Sequence, residues 1–224
     1  MEKDRWTQVG KIVLLVWMVA VIVAAFLVPK PAGQGQAGRI VFFHIPTAWV
    51  ATLAFLLSVA YSIRYLSRRR QVDDHRAVNA AGLGIAFCLL ATLTGAIFAR
   101  IKWGAFWNWD PRETSIFFLL LFYAAYFALR AAVADEQTRA TLSAAYNVLG
   151  LVVVPFLVFI APRLSALAGL HPDTLINVRG KLEMDAPFLL VFLASLAGFT
   201  GIFFWIFRLA NNLSRLNDAL LEEE

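Results

Sequence analysis

Six long apolar stretches, separated by short polar segments, constrain this chain more than any other feature. Each stretch is about 17 to 23 residues long and holds almost no charged side chain. A helix of about 20 apolar residues crosses the roughly 30 Å of hydrocarbon in a bilayer. The pattern therefore predicts six membrane-spanning helices, over residues 12–28, 47–66, 77–99, 115–133, 142–161 and 187–207.

The composition agrees with a chain whose solvent is lipid. Of the 224 residues, 60% are apolar and 16% are charged, whereas soluble domains average about a half and about a quarter. A soluble domain of this size could not bury so much apolar surface, so that class is excluded. We predict an all-α fold, a polytopic six-transmembrane-helix bundle that forms a single integral membrane domain over residues 1–224.

The lysine and arginine residues predict the orientation. Twelve of the 20 lie on the side that holds both termini, including the cluster at residues 68–70. Basic residues accumulate on the cytoplasmic side of membrane proteins. We therefore expect cytoplasmic termini in a bacterial inner membrane, with the segments 29–46, 100–114 and 162–186 on the periplasmic face.

Several functional classes are disfavoured by where the ionisable and cysteine residues stand. The net charge of +5 comes from basic residues between the apolar stretches, which is typical of a topology signal and not of a nucleic-acid surface. The chain has no charged residue near a predicted bilayer centre, where ion-coupled pumps usually carry one. Cys88 is the one cysteine, so any cofactor is expected to be held non-covalently.

The sequence contains one apparent nucleotide-binding motif, and its surroundings do not support nucleotide binding. Gly33, Gly35 and Gly38 match GxGxxG, but they follow a membrane span instead of a β-strand. The same segment lacks the lysine and hydroxyl residue of a P-loop. We therefore expect the chain not to be an enzyme, and we expect any ATPase activity to reside in a partner.

The most informative segment is the tryptophan-rich loop, residues 100–114. It carries three tryptophans, Trp103, Trp107 and Trp109, within seven residues, beside Gly104 and Asp110. Tryptophan is common at the membrane surface, but such residues normally scatter around the bundle. Clustered aromatic faces favour a platform for a large, flat, amphipathic ligand such as a porphyrin. Its propionates would need cations, and the outer face offers Arg39, Arg100, Lys102 and Arg112, with Arg163, Arg179 and Lys181 as further candidates.

The three histidines fall into two groups. His75 stands beside Asp73 and Asp74 in a predicted cytoplasmic loop, which we interpret as a solvated charged turn. His44 and His171 are both predicted on the outer face, on either side of the tryptophan-rich loop in sequence. Imidazole is the usual axial ligand of haem iron. Either histidine alone is typical of an interfacial residue, but the pair beside the tryptophans favours bis-histidine haem ligation.

Asp110 has two interpretations that the sequence leaves open. It could orient an indole N–H or a neighbouring arginine. It could equally cap the helix that begins at Pro111, because aspartate before proline is a common helix start.

These residues carry a resemblance to a known family. Trp103, Gly104, Trp107, Trp109 and Asp110 match the WGxxWxWD (WWD) signature of the membrane proteins that handle haem in cytochrome c-type biogenesis. Within that superfamily, the length and the six predicted spans resemble the haem exporter protein C family, over nearly the whole chain.

The resemblance implies a function and a set of partners. It implies that non-covalent haem b binds at the outer face through the tryptophan-rich loop and through His44 and His171 as axial ligands. The haem would then pass to a periplasmic haem chaperone. The implied complex contains two kinds of ABC transporter subunit and a small single-span subunit, embedded in membrane lipid.

Two other classes compete with this hypothesis. One is a membrane channel or transporter, and the other is a scaffold subunit whose tryptophans form an interfacial belt. A ligand that stays bound at the outer face of the purified protein would separate the first hypothesis from a channel or transporter. The scaffold predicts that replacing Trp107 or His171 leaves the cofactor content unchanged.

Overall fold

The structure is a computed structural model that describes residues 2–29, 35–164, 170 and 185–221. Within these ranges the chain is helical apart from short connections. The helices are α1 (Glu2–Leu27), a 3-10 helix (Gly35–Ile40), α2 (Val41–Arg68), α3 (Gln71–Trp103), α4 (Pro111–Ala132), α5 (Glu136–Val148), α6 (Gly150–Pro155), a π-helical turn (Phe156–Ile160), α7 (Ala161–Leu164) and α8 (Ala186–Leu221).

The six predicted spans are confirmed. Six helical segments are long and apolar enough to cross a membrane, and each predicted span falls within one of them to within a residue. They are Gln8–Leu27, Gly35–Arg68, Gln71–Trp103, Pro111–Ala132, Glu136–Leu164 and Ala186–Leu221. The chain is therefore an all-α, multi-pass membrane protein.

The centre of the bundle is the hairpin of α2 and α3, which pack more extensively on each other than any other pair. α2 ends because Arg69 adopts a left-handed conformation (φ 52°) and donates its N–H to the Tyr65 carbonyl at 2.7 Å. Gly84 of α3 has no side chain to keep the Phe55 ring of α2 away from its backbone. Phe55 in turn stacks on Tyr123 of α4, with ring centroids 3.7 Å apart. Small residues on α3 thus allow the close packing of three spans.

The predicted solvated turn around His75 is wrong. The turn between α2 and α3 is so short that Asp73 and Asp74 lie in the first turn of α3, with 0% and 2% of their surface exposed. Burial of a charge requires a partner. Asp74 accepts two hydrogen bonds from the Arg130 guanidinium of α4, both at 2.8 Å. The sequence could not reveal this pair because its members are separated by 56 residues.

The fifth span is not a regular α-helix. Pro155 lies inside it, and the residues after Pro155 form the π-helical turn Phe156–Ile160. Proline has no N–H to donate to the preceding turn, and π-helical turns are a common way to accommodate an irregularity inside a helix. This turn forms part of the wall of the cavity described next.

Candidate functional site

The tryptophan-rich loop begins and ends at sharp helix boundaries. α3 ends at Trp103 because Gly104 takes a left-handed conformation (φ 83°) and returns its N–H to the Arg100 carbonyl at 3.2 Å. Such a conformation suits glycine, which has no Cβ. α4 begins at Pro111, so the non-helical part of the loop is residues 104–110, shorter than the predicted segment 100–114.

Asp110 caps α4, as one of its two interpretations proposed. Its Oδ1 accepts the Arg112 backbone N–H at 2.8 Å, and its Oδ2 accepts the Leu170 backbone N–H at 2.6 Å. Glu113 completes the cap, because its Oε2 accepts the backbone N–H groups of Asn108 (2.6 Å) and Asp110 (3.3 Å). The two carboxylates therefore fix the loop through its backbone, and Asp110 also ties it to Leu170.

The aromatic rings of the loop form an edge-to-face series. Trp107 and Trp109 lie with centroids 5.7 Å apart and planes at 87°, and Trp109 meets Phe117 of α4 at 5.9 Å and 80°. Trp103 instead packs edge-on against Phe98 of its own helix, at 5.6 Å. Trp109 keeps 65% of its surface exposed. The loop thus presents large aromatic faces at the end of the bundle.

His44 lies on the first turn of α2 and faces α3. Its Nδ1 is 3.0 Å from the Ala91 carbonyl oxygen and 3.2 Å from the Thr94 hydroxyl. A carbonyl can only accept, so Nδ1 carries the proton in this arrangement and the lone pair is on Nε2. Gly95 makes room for the ring, since a Cβ there would stand 2.9 Å from His44 Cε1. α3 therefore determines both the tautomer and the position of this imidazole.

One cavity of about 480 Å³ brings several of these residues together. Cavities that hold cofactor-sized ligands are about 300–1,000 Å³ and mostly apolar, with a few placed polar groups. Here α2, α3, α4 and the fifth span supply the walls, and the polar and aromatic groups are His44, Trp49, Thr52, Thr92, Trp107, Arg112, Glu113, Ser115 and Arg163. The remaining lining is aliphatic side chains with Gly95, Phe159 and Pro162.

Trp107, one of the residues that line this cavity, carries an unusual buried group. Its indole Nε1 is buried and has no hydrogen-bond partner in the part of the chain that the structure describes. A buried N–H normally has a partner, because leaving it unsatisfied costs about 1–3 kcal/mol. An acceptor supplied by a ligand would remove that cost.

The predicted site residues are only partly brought together. His44, Trp107 and Arg112 line the cavity, and so does Arg163. Arg39 donates to the Gln36 side chain at 2.8 Å and to the Ala25 carbonyl. The other predicted residues that the structure describes are outside the lining, namely Trp103, Gly104, Trp109, Asp110, Arg100 and Lys102. His171, Arg179 and Lys181 lie outside the described residues.

Gly95 and Glu113 are two of the cavity residues that the sequence analysis did not predict. Gly95 carries no chemical signal of its own, because its role depends on a histidine 51 positions earlier. Glu113 could have been found, since aspartate followed three residues later by glutamate is a capping-box pattern.

Comparison with known proteins identifies relatives over most of the chain. Residues 2–222 match the family model described as Heme exporter protein C. The Heme exporter protein C of Paracoccus denitrificans is 37% identical over 145 residues, which cover 61% of this chain and 60% of that protein. The protein of the same name from Bradyrhizobium diazoefficiens is 32% identical over 177 residues, covering 79% of this chain and 66% of the relative. The one from Rhodobacter capsulatus is 30% identical, covering 85% and 81%.

The matched part spans less than two thirds of the length of the Paracoccus and Bradyrhizobium relatives, whereas the family model covers nearly all of this chain. The family prediction made from the tryptophan signature is confirmed. The chain belongs to the Heme exporter protein C family.

Proposed function

We propose that this chain binds haem b non-covalently at its outer face and hands it to a periplasmic haem chaperone during maturation of c-type cytochromes. The observation that carries the proposal is the cavity that the His44 imidazole, the Trp107 indole and two arginines line together. Membership of the Heme exporter protein C family supports haem as the cargo.

The donor set of the cavity fits haem. Haem iron takes imidazole nitrogen as an axial ligand, and the hydrogen bond from His44 Nδ1 to the Ala91 carbonyl is the kind of outer contact that orients a ligating histidine. The aliphatic walls suit an apolar macrocycle. Haem would supply an iron centre that accepts exchangeable nitrogen ligands.

Propionate groups would be held at the polar part of the cavity. Arg112 and Arg163 line it together with the Trp107 indole. Hydrogen bonds from guanidinium or indole N–H groups to a carboxylate are charge-assisted and stronger than neutral ones. We assign Trp103, Gly104, Trp109 and Asp110 to the surrounding platform, and we keep Arg39, Arg100 and Lys102 as secondary cations at its edge.

His171 is the proposed second axial ligand. The residue before it, Leu170, donates its backbone N–H to Asp110, which caps α4 next to the tryptophans. This contact places Leu170 beside the tryptophan-rich loop, and His171 is the next residue in the sequence. Asp110 would then act as a positioning residue for the ligand that follows Leu170.

Release requires that the haem be held without covalent bonds. Cys88, the one cysteine, is buried in α3 at 0% exposure, so no thiol of this chain is available at the outer face. Two imidazoles can be exchanged for the ligands of an acceptor. We propose that ATP hydrolysis belongs to ABC transporter subunits that act with this chain and a small single-span subunit in the bacterial inner membrane, and that this chain performs no bond chemistry.

The test is the visible spectrum of the full chain purified from a haem-producing host, with pyridine haemochrome quantification of haem per chain. We expect a low-spin Soret band in the wild type, with loss or shift of that band in both His44→Ala and His171→Ala. His75→Ala is the matched control and should leave the spectrum unchanged. His75 lies at the opposite end of the bundle, where its Nδ1 is 3.2 Å from Asp218 Oδ2.

Two results would contradict parts of this proposal. A colourless wild type that also fails to take up added haemin would contradict haem binding and favour a channel, transporter or scaffold with a tryptophan belt. A spectrum that changes in His44→Ala but not in His171→Ala would reject the second ligand alone.

A further inference from the structure

A second cavity lies far from the tryptophan-rich loop, between α1 and α8. We call it the α1–α8 groove; it measures about 740 Å³. The two helices run in opposite directions, because Trp17 of α1 meets Ala194 of α8 through an Nε1–H to carbonyl bond of 2.9 Å, while Lys11 and Arg208 share the far end of the groove. Gly198 and Gly201 allow this approach, since a Cβ at Gly201 would stand 3.1 Å from Leu14 Cδ1.

The groove has one basic end and one apolar wall. Its basic end consists of Lys11, Arg208 and the amide of Asn212, and no carboxylate is among its described lining residues. Neither Lys11 nor Arg208 forms an ion pair with any side chain that the structure describes. The rest of the lining is apolar or small and includes Val13, Leu14, Trp17, Ala197, Phe204, Trp205 and Leu209.

The depth of the basic end corresponds to the headgroup region. Lys11 stands three residues inside the first span, Gln8–Leu27, and Arg208 directly follows the apolar stretch 187–207. Two cations lie at this depth, and an apolar groove runs from them toward the bilayer centre. This arrangement is complementary in charge and polarity to a phosphate attached to acyl chains. Basic pockets between membrane helices are known to hold anionic lipid headgroups.

We propose that the α1–α8 groove binds one anionic phospholipid of the leaflet in which Lys11 and Arg208 lie. The phosphate contacts Lys11 and Arg208, and an acyl chain lies along Val13, Leu14 and Trp17. This site is independent of haem binding and is not part of the tryptophan-rich loop. The groove favours lipid over a helix of another protein, because a phospholipid brings an anionic phosphate and an apolar chain to the basic end and the apolar wall at the same time.

The test is native mass spectrometry of the full chain in detergent, with phosphatidylglycerol and phosphatidylcholine of identical acyl chains. Each basic residue near an anionic headgroup contributes roughly fivefold in affinity. We expect preferential retention of phosphatidylglycerol by the wild type, about fivefold weaker retention in Lys11→Gln or Arg208→Gln, and about 25-fold weaker retention in the double variant. Arg215→Gln is the matched control, because Arg215 lies on the same helix but does not line the groove.

Three results would overturn the proposal. The first is equal retention of the two lipids by the wild type. The second is the same retention in the double variant as in Arg215→Gln, provided that size-exclusion elution and helical circular dichroism show both to be folded. The third is displacement of phosphatidylglycerol by inorganic phosphate alone, which would indicate a free-anion site.

A photo-reactive residue in place of Val13 tests the groove in native membranes. Covalent labelling of phospholipid supports the proposal. Labelling of a polypeptide would mean that a partner helix fills the groove and would reject it. A failure of the haem experiment leaves both tests unaffected, because neither uses the haem cavity.

Discussion

The two ends of the central helix bundle use buried carboxylates differently. At the end opposite the tryptophan-rich loop, Asp74 pairs with Arg130 of another span, and Asp73 lies 3.4 Å from Arg64. At the end with the tryptophan-rich loop, Glu113 accepts backbone N–H groups of that loop, and Asp110 accepts the backbone N–H of Arg112 at the start of α4. Carboxylates at the first end join helices through charge, whereas those at the other end shape a loop beside a cavity.

Buried polar residues at the first end hold the helices together, whereas those at the other end shape a binding site. The first end also contains a buried amide network in which Asn147 donates to the hydroxyls of Ser58 and Ser62, at 2.7 and 2.8 Å. The cavity beside the tryptophan-rich loop is lined by Trp107, whose buried Nε1 has no hydrogen-bond partner among the residues that the structure describes. Substitutions at the first end should therefore lower stability, and substitutions at the end with the tryptophan-rich loop should lower haem content in a folded chain.

The largest effect on stability is expected for Asp74→Asn. Removal of this charge leaves the Arg130 guanidinium buried without its carboxylate, which costs about 3–5 kcal/mol in comparable pairs. Thermal unfolding of the detergent-solubilised chain, followed by circular dichroism, measures the loss. The double variant Asp74→Leu/Arg130→Met should recover most of it, because it leaves no unpaired charge. Unchanged stability with reduced haem would contradict the assignment of this pair to the bundle.

Among substitutions outside the proposed axial ligands, Gly95→Ala should have the largest effect on haem binding in a folded chain. The new Cβ would contact the His44 ring at 2.9 Å and displace it from the Ala91 carbonyl. Loss of such an orienting contact costs about 10–100-fold in affinity for a metal centre. We expect at least a tenfold loss of haemin affinity and a shifted Soret band. Gly82→Ala is the control on the same helix, because its Cβ would lie 3.8 Å from the nearest neighbour, Phe127; equal spectra for the two variants would reject the role of Gly95.

A smaller effect is expected for Trp107→Phe, which keeps an aromatic ring and removes the N–H. One hydrogen bond to a charged group contributes about 1.5 kcal/mol, or about tenfold in affinity. Haemin titrations should show this loss, whereas Trp205→Phe on α8 should not. Haemin dimethyl ester should bind wild type and Trp107→Phe with more similar affinities. The same tenfold difference with the ester would show that Trp107 does not recognise a propionate.

The smallest effect is expected for Asp110→Ala. Loss of a helix N-cap costs about 1 kcal/mol of stability, and it also removes the acceptor of the Leu170 N–H. Asp110→Asn should retain the cap through its amide oxygen, since asparagine caps nearly as well as aspartate. Unfolding midpoints and haem content of the two variants distinguish the helix cap from the hydrogen bond to Leu170. Identical midpoints and haem contents in both variants would contradict separate roles for the two contacts.

The sequence predicted the membrane architecture well because its signals are local. The six apolar stretches determine the spans, Pro111 marks the start of α4, and the tryptophan signature identified the family. The arrangement around His44 could not be predicted, since it depends on the contact of two helices at Gly95. The solvated turn predicted around Asp73 and Asp74 was wrong for the same reason. A run of charged residues indicates a solvent-exposed turn unless arginines of other helices are known to lie near it. Ligation by His171 stays a prediction.

The π-helical turn Phe156–Ile160 has a consequence for how this span can tolerate changes in length. A π-helical turn holds one residue more than an α-helical turn, and each residue of an α-helix adds about 100° of rotation. A π-helical turn accommodates its extra residue as a local bulge, so a deletion of one residue within the turn would restore a continuous α-helix without that rotation. Pro162 and Arg163, which line the cavity, would keep facing it, whereas the same deletion in a regular α-helical part of this span, before the turn, would rotate them away. The turn is thus the place in this span where the loss of one residue should be tolerated best.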